Sequence, residues 1–357
     1  MLVQHNNNFN LLRLLGAMLV IISHCYYVTG KNNIEPVYLI TGGKLETSAF
    51  GLCIFFFISG YFVCKSAFES ENSFYFVRKR IARIYPALII VVLLTVFLIG
   101  PLFTQLTFTD YFKDGDTWKY LYTLTGFRIR TGLPGVFTEP GTFMPGVNGS
   151  LWTISLELML YTTLTGFLIS GVIKNKKIFS AISFSLLLIC ILTVSVFTSL
   201  DFFYVKYFYL SGIFFLGSYV YSSSLSKKAV KIILLTIVLL YALLYIAKPA
   251  FIRFDFLLLI MIALATYLAG FYKGFVLRLN NDISYGLYIL AYPIQQIIFR
   301  MTGYNQSIAI QLFLTLIVAI PLAFLSWRFI EKPAINFNRR KMNSQKPGKP
   351  LQIPGII

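Results

Sequence analysis

Ten apolar runs dominate the hydrophobic pattern of this chain, and polar or charged segments separate them. The runs are residues 11–29, 48–67, 86–104, 149–171, 179–199, 203–222, 230–247, 254–272, 283–300 and 307–329. Most approach the ~20 residues that a helix needs to cross the hydrocarbon core of a bilayer. The weakest run is 203–222, which Lys206 and Gly212 interrupt. The pattern predicts an all-α, polytopic transmembrane helix bundle of about ten spans.

Composition supports this class of protein. Hydrophobic residues make up 57% of the chain and charged residues only 12%, while the mean hydropathy is +0.74. A soluble domain of this length does not have such a composition. The formal charge of +18 is compatible with nucleic-acid binding, but the charges lie between apolar runs and on the C-terminal tail, as anchoring charges do. We therefore expect membrane lipids, and no nucleic acid, among the partners.

Loop charges predict the orientation of the bundle. One alternating set of connecting segments, together with the C-terminal end, holds about twice as many basic residues as the other set. The positive-inside rule therefore places both termini in the cytoplasm. The long segment 105–147 is then extracytoplasmic, and we expect it to be an acceptor surface or a lid. We expect a transmembrane domain over 1–335 and a flexible basic tail over 336–357 that lies on anionic headgroups.

Several familiar cofactor motifs do not fit this chain. The four cysteines lie in or at the ends of apolar runs, a pattern that is neither a disulfide framework nor a metal cluster. The pair Asp114 and Asp116 resembles a metal-binding motif of nucleotide-sugar enzymes, but its predicted extracytoplasmic position lacks nucleotide sugars. We find no Walker loop, Rossmann fingerprint or zinc spacing, so we expect no metal and no permanently bound cofactor.

The first apolar run contains an arginine and a histidine on one predicted helix face. Arg13 and His24 are eleven residues apart, which corresponds to about three turns and about 16 Å along the axis. His24 is the only histidine within any apolar run. An ionisable residue in lipid indicates a functional site, and histidine is the commonest general base. The alternative is a histidine that only hydrogen-bonds to a neighbouring helix.

Two arginines precede the third apolar run. Arg80 and Arg83 are three residues apart, so they share a helix face at the predicted cytoplasmic entrance to the span. Guanidinium groups bind phosphate oxygens bidentately, which makes these residues candidates for a phosphate site. The alternative is simple anchoring by positive charge.

The fourth apolar run begins with a polar face. Ser150, Glu157 and Tyr161 fall within about 40° of one another on a helix. Glu157 lies two turns into the membrane, where a carboxylate needs a partner or a wet cavity. A structural hydrogen bond between helices would explain it equally well.

Two further groups occur towards the C-terminus. Tyr285, Tyr288 and Tyr292 form a stripe at helical spacing in the ninth run, and such a stripe is more typical of packing than of chemistry. Glu331 stands at the cytoplasmic boundary of the tenth run.

Together these segments resemble the acyltransferase family 3 membrane proteins, which include bacterial O-antigen and other surface-glycan O-acetyltransferases. The motifs occur here in the same order as in that family. The resemblance covers residues 9–335, and each motif is weak alone. The matching stretches are Phe9 to His24, Phe55 to Tyr61, Arg80 to Pro86, Leu151 to Glu157, Ser284 to Pro293 and Glu331 to Pro333.

The resemblance implies ten spans, an acyl-CoA donor that enters from the cytoplasm and a glycan acceptor outside. It implies that His24 is the catalytic histidine and that Arg13 is its essential companion. It assigns Arg80 and Arg83 to the phosphates of the donor, and Glu331 to a functional carboxylate at the inner surface.

Two positions depart from the family pattern. Many relatives have a histidine two residues before the proline of the ninth run, and this chain has Ala291 there. The usual acidic residue after the first phenylalanine is replaced by Asn10. His24 must therefore work without a second histidine at that place.

We therefore expect a multi-pass O-acyltransferase of the bacterial plasma (inner) membrane, with acetyl-CoA as co-substrate and a glycan or lipid-linked glycan as acceptor. Glu157 joins the catalytic candidates. Ser150, Trp152 or Tyr288 would serve the acceptor or the oxyanion, and the sequence does not choose among them. The alternative class is a transporter or flippase of a lipid-linked or small anionic substrate, although the internal repeats common in transporters are not apparent.

Overall fold

The structure is a computed structural model, and its secondary structure is helical without a sheet over the part of the chain that it describes. The described residues are 7–144, 146–197, 202–247, 255–274, 276–277, 279 and 281–344. The predicted all-α class is confirmed.

The described ranges contain ten helices of 16 or more residues, one for each predicted apolar run. They are α1 (Phe9–Val28), α2 (Thr47–Phe68), α3 (Ser73–Phe103), α4 (Gly149–Ile169), α5 (Lys176–Val196), α6 (Phe202–Ser222), α7 (Lys227–Ala247), α8 (Asp255–Gly270), α9 (Ser284–Met301) and α10 (Ile308–Arg340). Seven of them, namely α1 to α5, α7 and α10, are long and apolar enough to cross a membrane. The length and composition of these helices are therefore those of a multi-pass membrane protein.

Two helices are longer than their apolar runs predict. Helix α3 has 31 residues and α10 has 33, which gives lengths of about 46 and 50 Å against a hydrocarbon core of about 30 Å. The excess belongs to the charged start of α3 and the charged end of α10. These two extensions pack together, and the side-chain amide of Asn338 donates to the carbonyl of Arg78 at 3.5 Å.

The long helices also change two boundaries expected from the sequence. The third span was expected from residue 86, but its helix begins at Ser73. Likewise, the last helical stretch of α10 begins at Lys332 and extends past Arg340 to Ser344, so the first part of the predicted flexible tail is helical. Residues 345–357 lie outside the described part of the chain.

The connections gather at two opposite ends of the bundle. At one end, Lys31 after α1 donates to the carbonyl of Gln306 before α10 at 3.1 Å, and Lys44 before α2 pairs with Asp255 at the start of α8 at 3.5 Å. These segments all follow odd-numbered helices, as alternating spans require.

The opposite end contains the segments that follow even-numbered helices. There, the side chain of Asn8 donates to the carbonyl of Tyr272 at 3.2 Å. Lys227, which starts α7, donates to the carbonyl of Phe271 at 3.0 Å. The segments that these contacts join thus fall into the same two sets that the loop charges distinguish.

Helix α2 is the most buried of the seven membrane-spanning candidates, with 67% of its apolar window inside the protein. It approaches α6 closely through two glycines. A Cβ atom on Gly60 would lie 2.0 Å from the carbonyl oxygen of Phe214. A Cβ atom on Gly217 would lie 2.5 Å from the carbonyl oxygen of Phe57. Small residues allow this approach of two backbones, which supplies much of the packing energy between membrane helices.

Replacing Gly60 by alanine is expected to destabilise the bundle by about 1–3 kcal/mol, because the added methyl group collides with backbone that cannot rotate away. Gly166→Ala on α4 is the matched control, since a Cβ there would meet nothing within 4 Å. Thermal unfolding in detergent measures both variants. Equal melting temperatures for the two would contradict the close packing of α2 and α6.

Cysteine labelling tests the sidedness of the bundle. Thr109 after α3 and Lys174 after α4 are exposed, whereas the four native cysteines are buried. In intact cells, Thr109→Cys should react with a membrane-impermeant thiol reagent, and Lys174→Cys should react only after the membrane is opened. The wild-type protein provides the background. Labelling in the reverse order, or of both positions from one side, would refute the predicted topology.

Candidate active site

A polar cavity enters the bundle at the end where α1, α3 and α9 begin. It encloses about 860 Å³, its open mouth included. The side chains of Arg13 and Arg83 keep 26% and 25% of their surface exposed, so the mouth communicates with solvent. The polar lining includes Arg13, Ser59, Arg80, Arg83, Glu157 and Tyr288. Tyr161 and Tyr285 line it as well, so seven of the residues singled out in the sequence meet at one cavity.

Asp282, between α8 and α9, holds two of these arginines together. Its Oδ2 atom lies 2.8 Å from Nη2 of Arg83 and 3.5 Å from Nη1 of Arg13, while the hydroxyl of Ser284 donates to Oδ1 at 2.5 Å. Burial alone would raise the pKa of this carboxyl. The charges of Arg83 and Arg13 outweigh burial and hold the pKa below its ordinary value. Asp282 therefore remains a carboxylate that links α1 with α3.

Glu331 contacts the same arginine from α10. Its Oε2 atom lies 3.5 Å from Nη1 of Arg83, and Ser326 donates to Oε1 at 3.0 Å. The residue is 1% exposed. It ends the wide turn Trp327–Glu331, whose tryptophan ring centroid lies 5.8 Å from the guanidinium carbon of Arg83. Glu331 thus supports Arg83 instead of lining the cavity itself.

Arg80 has a different environment from its neighbour. Among the described residues, no carboxylate lies within ion-pair distance of it. Its guanidinium carbon lies 5.7 Å from the ring centroid of Tyr161, its Nη2 is 3.5 Å from the hydroxyl of Ser66, and its buried Nε has no hydrogen-bond partner in the described chain. Arg80 therefore brings free hydrogen-bond donors to the cavity.

Glu157 faces the cavity and accepts two hydrogen bonds. The hydroxyl of Tyr161 donates to its Oε1 atom, and the hydroxyl of Ser59 lies 3.4 Å from the same atom. The two hydroxyl oxygens are 3.1 Å apart. The sequence suggested either a wet cavity or a structural hydrogen bond for Glu157, and both are present.

His24 lies outside the cavity, towards the opposite end of α1. Its half-buried ring meets the ring of Tyr292 edge-on, with 5.0 Å between centroids. The charged groups that act on it are Glu46 and Lys206, and the Nζ atom of Lys206 lies 3.2 Å from both carboxylate oxygens of Glu46. Hydropathy treated Lys206 only as an interruption of the sixth run, whereas it forms an ion pair near His24.

The tyrosine stripe of α9 connects the cavity with His24. Tyr288 lines the cavity. Its hydroxyl lies 2.7 Å from that of Thr153 and donates to the carbonyl of Ser150 at 2.9 Å. Tyr292, one turn further along, contacts His24. The spacing alone is more typical of packing, but Tyr285 and Tyr288 line the cavity, and Tyr288 is also one of the candidates for the acceptor or the oxyanion.

Two predicted residues at the start of α4 do not line the cavity. The ring of Trp152 packs against that of Tyr207 on α6, with 5.4 Å between centroids. Ser150 is buried, and its hydroxyl has no hydrogen-bond partner in the described part of the chain. Of the three candidates for the acceptor or the oxyanion, only Tyr288 lines the cavity.

Comparisons with other proteins agree with this architecture. The family described as "Acyltransferase domain" matches residues 6–328. The chain is 29% identical over 346 residues to the "O-acetyl transferase" of Shigella phage Sf6, covering 95% of this chain and 98% of that protein. It is 34% identical over 171 residues to "Nodulation protein 10" of Rhizobium leguminosarum bv. viciae, covering 45% of this chain and 43% of that protein.

No solved structure matches the chain. The family match nevertheless extends from before α1 into the charged end of α10, and so includes every residue that lines the cavity. The protein belongs to this family of membrane acyltransferases, as the ordered motifs of its sequence predict.

Proposed function

We propose that this acyltransferase is an O-acetyltransferase of the bacterial inner membrane. It takes the acetyl group from acetyl-CoA on the cytoplasmic side and transfers it to a sugar hydroxyl of a surface glycan on the other side. The likeness to a phage protein named O-acetyl transferase supports acetyl as the group transferred. The observation that carries the proposal is the arginine-lined cavity, which is open at the basic end of the bundle and reaches Tyr288, one helical turn before the tyrosine that meets His24.

The cavity suits the two parts of a CoA thioester. Three guanidinium groups at the mouth provide donors and positive charge for phosphates, which arginine binds bidentately. Deeper in, Leu52, Phe55 and Phe56 give apolar walls to a narrow space. An extended pantetheine arm fits such a space, while the charged nucleotide remains in cytoplasmic water.

Arg13 and His24 take different roles in this scheme. Arg13 is held by Asp282 at the mouth of the cavity, about 16 Å from His24 along the helix. We therefore assign Arg13 to the donor and not to direct control of the histidine. His24 acts as the general base that accepts the proton of the acceptor hydroxyl. Glu157 stays within the cavity wall, where it balances the charge of the arginines.

The transporter class receives no comparable support. Family membership indicates group transfer, and the cavity in the described structure ends at Tyr288 without continuing to the opposite end of the bundle.

His24→Ala should abolish acetylation of the surface glycan while the protein is still produced and folded. Loss of a general base costs about 10²–10⁴-fold in rate. Mass spectrometry of surface glycans from cells with the wild type, the variant or neither protein shows whether the acetyl mass is present. Cys25→Ser is the matched control, because Cys25 follows His24 on α1 but contacts Gln295. Full acetylation by His24→Ala would disprove the role of the histidine.

Arg80→Gln should raise the KM for acetyl-CoA about 10–100-fold and leave kcat nearly unchanged. A charged hydrogen bond made equally in ground and transition states contributes about 1.5–3 kcal/mol to binding and does not affect turnover. Arg80 is a cleaner test than Arg83, whose loss would leave Asp282 and Glu331 unpaired. Initial rates over a range of acetyl-CoA concentrations separate the two constants.

Arg78→Gln is the control for this measurement, since Arg78 lies two residues away on α3 and does not line the cavity. An unchanged KM in Arg80→Gln, or an equal increase in both variants, would refute the donor role of Arg80.

A further inference from the structure

Ser150 lies just beyond the closed end of the cavity. Three or four residues make about one helical turn, so Ser150 stands one turn before Thr153 and Ile154 on α4 and two turns before Glu157. These three residues line the cavity. Ser150 therefore continues the cavity-facing stripe of α4 by one turn towards the end that contains His24.

The hydroxyl of Ser150 is buried without a partner. The residue is 1% exposed, and its Oγ atom makes no hydrogen bond within the described chain. It does not cap the helix, because the side chain of Asn148 accepts the amide hydrogen of Ser150 at 3.2 Å. A buried, unpaired hydroxyl is unfavourable for folding. The packing around Ser150 therefore gives no structural reason for a hydroxyl at this position.

The turn that carries Ser150 contacts both parts of the site. Its carbonyl accepts the hydrogen bond from Tyr288, which lines the cavity. A Cβ atom on Gly149 would lie 2.9 Å from Cζ of Tyr292, so the backbone packs directly on that ring. Tyr292 in turn meets the ring of His24. The turn therefore lies where a thioester that passes the end of the cavity would approach the general base.

We propose that the hydroxyl of Ser150 is the hydrogen-bond donor that stabilises the oxyanion during acyl transfer. This inference rests on the proposed function. In the reaction, the acceptor oxygen bonds to the thioester carbonyl carbon, and the acceptor proton moves to the imidazole of His24. The carbonyl π electrons move onto oxygen, and this oxyanion accepts the hydrogen bond from Ser150. The carbonyl then re-forms, the C–S bond breaks, and the CoA thiolate takes the proton from the imidazolium.

The two other candidates from the sequence fit this role less well. The indole of Trp152 packs on Tyr207. The hydroxyl proton of Tyr288 is already donated to the carbonyl of Ser150. Of the three candidates, Ser150 is the one with a hydroxyl that makes no hydrogen bond within the described chain, and an oxyanion site gains most from a donor that need not break another bond before the reaction.

Ser150→Ala tests the proposal. Loss of one oxyanion donor should lower kcat about 10²–10³-fold. The KM for acetyl-CoA and the dissociation constant of free CoA, measured by calorimetry, should stay within twofold, because the bond exists only in the transition state. The melting temperature should stay equal or rise, since an unpaired buried hydroxyl has been removed. Ser150→Cys keeps the side-chain shape, with a slightly larger atom that is only a weak donor, and should fold and show a similar loss.

Ser183→Ala is the matched control. Ser183 is also 1% exposed with an unpaired hydroxyl in the described chain, but it lies on α5, which contributes no residue to the cavity. This variant should keep the wild-type kcat.

The results for Ser150→Ala and for the wild-type protein distinguish failure of the oxyanion role from failure of the proposed function. A kcat within threefold of wild type in Ser150→Ala would overturn the inference while the proposed function stands. A lower melting temperature together with weaker CoA binding would show a structural role and would overturn it as well. If the folded wild-type protein transfers no acetyl group, the proposed function itself fails.

Discussion

The ion pairs of Arg83 are the interaction on which the architecture of the site depends. A guanidinium group cannot lose its proton in a protein, so inside an apolar bundle it must be met by carboxylates or water. Here Asp282 and Glu331 surround it from two different segments. Through Asp282 the contact extends to Arg13 and thus joins α1, α3, α10 and the segment before α9 at one point. Removing one member would leave the others buried and unpaired, which is costly in a low dielectric.

These ion pairs also explain why the cavity exists. Apolar side chains alone would close the space between five helices, whereas three arginines and Glu157 line a polar cavity that is open at one end. The extra length of α3 and α10 is also a consequence of charged residues. Their charged extensions cannot enter the hydrocarbon, so they continue as helices beyond it and stabilise one another at the mouth.

The sequence was sufficient for the helix class and for most helix positions, because hydropathy is a local property and the bilayer sets a minimum length. The helical spacing of Arg80 and Arg83 was likewise enough to place both on one wall of the cavity. Asp282 was not identified, since a lone aspartate in a short basic loop has the pattern of a solvated charge. Only the three-dimensional arrangement shows that it meets Arg13 across the chain.

The tyrosines of α9 and the pair Glu46–Lys206 also show that a local sequence pattern does not reveal tertiary contacts. A stripe at helical spacing does not reveal whether a neighbouring surface is protein or a cavity, and Tyr288 faces a cavity. Glu46 and Lys206 are 160 residues apart in the sequence, so no local pattern could connect them. The separation of His24 from the cavity also follows from tertiary packing, because Tyr288 and Phe55 approach to 5.7 Å between ring centroids at the closed end.

That closed end has a consequence for the cell that carries the protein. A transferase that takes its donor and acceptor from opposite sides of a membrane, as we propose for this protein, would threaten the proton gradient if its interior were a continuous channel of water. In the described structure, the contact of Tyr288 with Phe55 and its hydrogen bond to the start of α4 close the cavity at the end opposite its mouth. Under the proposed function, a bundle closed in this way would serve both sides of the membrane and still be an electrical insulator between turnovers.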